Sequence, residues 1–198
     1  MPTACQILHS TAIDVEKWDN CVSFNNNGLI YAKSFYLNAM CSNWYGLVYK
    51  DYELIFPIPY KKKYGIAYCY MPAFTQQLGF IGNEKLVTDE ILQQLQDFVK
   101  YASPYINFDN SHFAKVNNCV VRNNFILSLE QSYASIKKSY KKSMAYSLSK
   151  AKKQNLQYVV SDNINEAVSM YEAYNRDKML HVTMEDYKSL KRLLKQLY

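Results

Sequence analysis

Three β-type runs in immediate succession, Trp44 to Lys50, Tyr52 to Lys62 and Tyr64 to Met71, leave this chain few folding options. Only Lys50-Asp51 parts the first two, and Lys63 with Gly65 marks the next break. Links this short force neighbouring strands to run in opposite directions, because a parallel crossover takes about a dozen residues or more. An antiparallel meander is therefore predicted at the heart of the chain. Tyrosine suits it: nineteen Tyr stand against five Gly and five Pro, and a tyrosine ring packs on a half-buried sheet while its hydroxyl finds a partner.

The flanking segments set the class. Cys5 to Leu8 reads as a first strand, Thr11 to Cys21 as a helix with Trp18 on its buried side, and Asn25-Asn26-Asn27-Gly28 as the turn ending it. Leu29 to Asn43 holds a second helix. Beyond the meander, Leu78 to Gly82 reads as a strand, and Thr88-Asp89 opens a helix through Tyr101 with Ile91, Leu92, Leu95, Phe98 and Val99 inward. Ser103-Pro104 stops it, and Tyr105 to Phe108 and Phe125 to Leu129 are predicted strands. Early helices, a meander and then strand, helix, strand make an α+β layout with a mixed sheet covered by helices, complete as a first domain over residues 1–129.

The stretch from Leu129 to Asn155 is different in kind. At 3.6 residues per turn, Tyr133, Ile136, Tyr140, Met144, Leu148 and Ala151 share one face of a predicted long helix. Lys137, Lys138, Lys141, Lys142, Lys152 and Lys153 lie mostly beside and opposite it, and no acid interrupts from Gln131 to Ser161. Two readings stand: lysines that are simply solvated, or lysines offered to an anionic ligand. Leu156 to Val160 follows as a predicted strand. Asn163 with Glu166 resembles a capping box opening a helix through Asn175, and Thr183 caps a last helix with Tyr187, Leu190, Leu194 and Leu197 on one face. One strand for three helices makes residues 130–198 read as an incomplete second unit.

Several chemistries lose ground on residue type and spacing. A net charge of +6 and a pI near 8.9 permit polyanion affinity without demanding it. Five cysteines, Cys5, Cys21, Cys41, Cys69 and Cys119, are scattered and never form CxxC, which predicts reduced, packed thiols in a cytoplasmic protein. His9, His112 and His181 show no metal-ligand spacing, so no metal residues are assigned. The segment from Met1 to Asp14 lacks a basic start and an apolar run, so no signal peptide is expected, and nowhere do about 20 apolar residues follow one another as a membrane span requires.

A family resemblance attaches to particular residues. Ile30 to Gly82, with Trp-x-x-Leu-Val, Pro-x-Pro and Phe-Thr-Gln-Gln-Leu-Gly, resembles the first half of the Fem-type, tandem-GNAT acyltransferases. Ser139 to Lys178 is similar to that family's crossing into its second domain: a basic helix ending in Lys-Ala-x-Lys, a strand, then a helix. The resemblance implies a GNAT-like mixed, largely antiparallel sheet flanked by helices, with a partial second GNAT-like unit. It also implies transfer of an acyl group from acyl-CoA or aminoacyl-tRNA to an amine acceptor of the cell-wall precursor type, with no cofactor held firmly by this chain. Because the family completes its donor site with later strands of the second domain, the chain alone is expected to be inactive.

Carried over residue by residue, the resemblance makes Asp109 the candidate catalytic group, able to orient or deprotonate an amine, although an aspartate before Asn110 also suits a turn. Lys33, Tyr36 and Tyr70 are assigned to a tyrosine-lined acceptor cleft, and Arg176 and Lys178 to an acceptor phosphate, or else to the ordinary dipole of a helix end. Lys33 stands where many members carry glutamine, and Met40 falls near their lysine, a departure that argues against a UDP-sugar pentapeptide acceptor. Gln76 to Gly82 superficially resembles a coenzyme A cradle, but its spacing is off by one and its helix starts late, so it reads as strand and turn. The alternative to a transferase is a non-catalytic module binding an anionic ligand or RNA, tRNA included, through residues 137–153 and nearby tyrosines; lysines 137, 138, 141 and 142 are its anion-binding candidates. A third expectation is self-association through the incomplete second unit.

Overall fold

A computed structural model of the chain describes residues 5–99, 101–102, 123–157 and 159–197. The predicted meander is its centre: β2 (Trp44–Tyr49), β3 (Leu54–Lys63) and β4 (Ile66–Cys69), with β1 (Cys5–His9) added antiparallel to β2. Two helices, α1 (Val15–Phe24) and α2 (Ser34–Met40), separate β1 from β2. Beyond the meander come the short β5 (Ile81–Gly82), paired with β3, then α3 (Asp89–Phe98) and the two-residue β6 (Tyr101–Ala102). The sheet runs β1-β2-β3-β4-β6, antiparallel throughout except for the parallel pairing of β6 with β4. The class is thus α+β, as expected. The helix expected to run through Tyr101 ends earlier: Val99 closes α3 on the Leu95 carbonyl with extended backbone, and Tyr101 already belongs to β6.

Local chemistry explains the hairpins. Tyr64 and Gly65 both take positive φ, 52° and 80°, the paired left-handed turn whose twist matches the flanking strands of β3 and β4. Pro57 and Pro59 sit inside β3 without breaking the ladder. Tyr60 donates its N–H to the Asn43 carbonyl on the β2 side, and strand alternation turns Pro57 and Pro59 to the opposite side. There, β5 pairs only with Leu54 and Ile55 and β4 begins at Tyr60, so the missing proline N–H groups are not called on.

Alternation also makes two cores. Trp18 and Val22 of α1 and Leu37 of α2 pack with Trp44, Val48, Ile55 and Ile81 on one face of the sheet. Leu47, Leu54, Phe56, Ile58 and Phe80 pack with Ile91 and Leu95 of α3 on the other. Trp18 is fully buried, donates Nε1–H to the Ala32 carbonyl at 2.8 Å, and lies so close over Gly46 that a Cβ there would meet its ring at 2.4 Å.

The described residues divide into two compact units, Met1–Val120 with Asn163–Tyr198, and Val121–Asp162. The first therefore includes α6 (Ile164–Asn175) and α7 (Met184–Leu197). Leu193 and Leu190 of α7 pack against Tyr36 and Met40 of α2 as a further cluster. Asn163 caps α6 as expected: the Glu166 N–H donates to Asn163 Oδ1, and the Glu166 carboxylate returns to the Asn163 side chain, accepting from Nδ2. The second unit holds α4 (Tyr133–Lys138) and α5 (Lys142–Lys153), which correct the single long helix expected from 129 to 155. Ser139 ends α4 by returning both its N–H and its hydroxyl to the Ile136 carbonyl. An unbroken helix would stack Lys137 on Lys141 and Lys138 on Lys142, like charges four apart, and the break avoids that repulsion. The strands predicted at Phe125–Leu129 and Leu156–Val160 are also corrected, since the described residues there form none; the one predicted at Tyr105–Phe108 lies outside the described residues.

Candidate functional site

The expected acceptor residues go to four surroundings. Lys33 is the residue before α2, and its ammonium donates to the Asp19 carbonyl at 2.7 Å and to Ser23 Oγ, while the Asp19 carboxylate accepts from both the N–H and the hydroxyl of Ser34. That side chain joins α1 to α2. Tyr36 is buried, donates its hydroxyl to the Phe74 carbonyl at 2.9 Å, and is pushed up to about 12 in pKa by burial. Phe74, held at φ 62°, also meets the Tyr187 ring at 5.4 Å, and beside Tyr187 the Glu172 carboxylate, itself buried, accepts from Arg176 at 2.5 Å. Tyr36 and Arg176 are thus linked through Phe74 and Tyr187. Bonding to Glu172 raises the Arg176 pKa and keeps the guanidinium engaged within α6. Lys178 lies with its ammonium 3.4 Å from the centre of the Tyr174 ring.

Tyr70 belongs to a more open place. Lys61 hangs over its ring at 4.1 Å, and its hydroxyl hydrogen-bonds to Ser42 and Cys41; burial drives its pKa well above the usual tyrosine range. Next to it is an open cleft of about 430 Å³ lined by Ser42, Asn43, Tyr60, Lys61, Lys62, Lys63 and Tyr68. Alternation along β3 sends Lys61 to the side of Tyr68 and Tyr70, and Tyr60 to the side of α3, where its ring meets Phe98 at 5.9 Å. Asn43 is fixed at the rim: His9 Nε2–H donates to Asn43 Oδ1 at 2.8 Å, a tautomer assigned from Nδ1 accepting from the Thr11 N–H at 3.3 Å. None of Lys33, Tyr36 and Tyr70, the residues expected to line an acceptor cleft, is among its lining residues, and Lys61 to Lys63 were not expected there. Three consecutive lysines on the exposed end of a strand were the available signal.

Two other expectations can be placed. Burial pushes the thiols of Cys21, Cys41 and Cys69 up to about 11, 12 and 12, so they are held protonated at neutral pH, and Cys5 shifts the same way. The Gln76 to Gly82 segment is taken up in the fold: the Gly82 N–H donates to Asn27 Oδ1 at 3.1 Å, and the next α-helix starts only at Asp89. Asp109, the candidate catalytic residue, lies outside the described residues.

In the second unit, Lys137 and Lys138 end α4, Lys141 is the residue before α5 and Lys142 its first residue, all four exposed. Eight of the chain's 23 Lys and Arg but only two of its 17 Asp and Glu fall in residues 121–162, which therefore carry the whole net charge of +6. On α5, Lys142, Tyr146, Lys150 and Lys153 share one face, an aromatic ring set among cations. Among the described residues no group of three His, Cys, Asp or Glu is placed to hold a metal ion, and no helix is long and apolar enough to cross a membrane. Compared with family models, curated proteins and solved structures, the chain matches none.

Proposed function

We propose that the chain is the acceptor-binding part of an N-acyltransferase or aminoacyltransferase of the Fem/GNAT type. The observation that carries this reading is the order of the sheet: a strand, two helices, an antiparallel meander, a helix, and then β6 returning parallel to the last meander strand. A mixed, largely antiparallel, helix-flanked sheet of this α+β class supports the reading, which rests otherwise on the resemblance of Ile30 to Gly82. The acceptor lies in the tyrosine-lined cleft beside Lys61 and Tyr68. Its amine attacks the acyl carbonyl directly, since the described thiols are held protonated and form no acyl-enzyme. As the N–C bond forms, the amine gives a proton to a carboxylate, the role Asp109 takes by resemblance, and the thiol of coenzyme A or the tRNA ribose hydroxyl leaves with the electron pair of the broken acyl bond.

Two assays on the purified chain test this. An amine-bearing cell-wall precursor fragment should bind, and Tyr68→Ala should weaken that binding about tenfold, the loss of one ring contact and its packing. Acyl-CoA and aminoacyl-tRNA should give no turnover with this chain alone. Turnover would overturn the inactivity of the isolated chain, and failure of every amine-bearing fragment to bind would overturn the acceptor assignment.

A second reading rests on a separate observation, the gathering of the entire net charge in residues 121–162. On that reading the Lys137 to Lys153 region binds RNA or another polyanion, Tyr146 stacking and the lysines pairing with phosphates.

A further inference from the structure

The cleft borders a strand edge that is only partly used. Antiparallel pairing of β2 with β3 ends at Trp44 opposite Pro59, and one more bond follows, from the Tyr60 N–H to the Asn43 carbonyl at 3.0 Å. Beyond Asn43 the chain turns away: Cys41 closes α2, returning its N–H to the Leu37 carbonyl. β3 nevertheless continues to Lys63, paired on its other side with β4. The main-chain groups of Lys61 and Lys63 turn to β4, because the bond from the Tyr70 N–H to the Pro59 carbonyl fixes the odd-numbered residues on that side. The even-numbered ones face the opening. Tyr60 therefore offers a carbonyl there, and Lys62 both an N–H and a carbonyl, with no partner for them among the described residues.

The side chains add charge to this edge. Lys61, Lys62 and Lys63 are all exposed, and none has a carboxylate partner among the described residues. Lys61 and Lys63 stand on one face, about 6.7 Å apart at the usual strand rise, which is the repeat of alternate residues in another extended chain. We propose that the free edge of β3 at Tyr60–Lys63 takes an extended peptide as an added strand, with carboxylates at its alternate positions paired to Lys61 and Lys63. Two of the three open main-chain groups are acceptors. A peptide supplies N–H donors and carbonyl acceptors at the matching repeat, whereas the phosphodiester groups that would pair with Lys61 and Lys63 only accept and set oxygen against the open carbonyls, so the edge favours a peptide over a nucleic acid. This deepens the transferase reading by naming the class of chain that lies in the cleft, and rests on that reading only for calling it an acceptor.

The test uses the full chain, ¹⁵N-labelled, with acetyl-Glu-Val-Glu-Val-Glu-amide and no acyl donor. The amides of Tyr60 to Lys63 should shift on titration, and the Lys62 amide should gain protection from hydrogen exchange. N-methylation of the peptide at the two amides facing β3 should weaken binding about tenfold, the loss of two modest hydrogen bonds. Lys61→Gln with Lys63→Gln should weaken it by a similar factor while the Lys62 protection pattern at saturation persists. Equal binding of the N-methylated peptide, equal competition by a single-stranded oligouridylate of matched charge, or no shift at all would each overturn the proposal. Any of these would leave intact the sheet order that supports the transferase reading, which the turnover and fragment assays address separately.

Discussion

At the scale of single residues, the chemistry of this chain is governed by burial. Cys41, at the end of α2, and Cys69, in β4, are both buried, so a thiolate at either would have to shed its water, and both thiols are pushed from 9.0 to about 12. Below pH 9 both folded and unfolded thiols are protonated and the linkage is silent. As pH rises from 9 toward 12 the unfolded chain loses protons that the folded chain keeps, so stability falls, by about 1.4 kcal/mol per thiol and pH unit. Tyr36 joins between 10.0 and about 12. Thermal unfolding followed from pH 7.5 to 10.5 should therefore show a flat midpoint up to about pH 9 and a steep decline above it, and Cys41→Ala should flatten that decline whatever it does to the midpoint at pH 7.5. Reduced, packed thiols were legible from the sequence, since scattered cysteines without a CxxC have little else to do. The use of Lys33 was not. Its contact with the end of α1 depends on how α2 meets α1, which no local pattern encodes.

At the scale of elements, periodicity found the helices and strands and failed where charge or tertiary contact overrode it. The meander, α1, α3 and α6 follow from alternation, from Asp14, Thr88 and Asn163 as caps, and from turn residues. The break between α4 and α5 was missed because the apolar stripe from Tyr133 to Ala151 stays in phase through Ser139, while the repulsion among four lysines does not show in an apolar pattern. On α7 the predicted stripe ran through Leu194 and Leu197; the buried seam is Tyr187 and Leu193, with Leu190 packed beside them and Leu197 exposed. In this docking the Tyr187 hydroxyl is buried with no hydrogen-bond partner among the described residues. A stranded hydroxyl costs about 1–3 kcal/mol. Tyr187→Phe keeps the ring contact with Phe74 at 5.4 Å and removes the stranded group, so its urea midpoint should rise, by about 1 kcal/mol in stability. A fall of similar size would mean the hydroxyl is bonded after all.

At the scale of the whole molecule, charge and core are divided between different stretches of chain. Residues outside 121–162 hold fifteen cations and fifteen anions of the Lys, Arg, Asp and Glu types, while residues 121–162 hold the +6; among the described residues, the buried core clusters draw their side chains from outside 121–162. A surface lysine contributes little to stability, so the four lysines at 137, 138, 141 and 142 should be removable without cost to the fold. Their replacement by glutamine lowers the net charge to +2, and each lysine that neutralises a phosphate releases about 0.7 counterion from a single strand. If the region binds RNA, the slope of log affinity against log salt for an oligouridylate should therefore drop by roughly 3 in the quadruple variant, with the unfolding midpoint unchanged. The cleft at Lys61 to Lys63 provides the internal control. Peptide binding there should still depend on Lys61 and Lys63 in the quadruple variant, because those lysines are unchanged in it. A slope unchanged in the quadruple variant would leave the lysines of 137–142 as solvated charge on a pair of short helices.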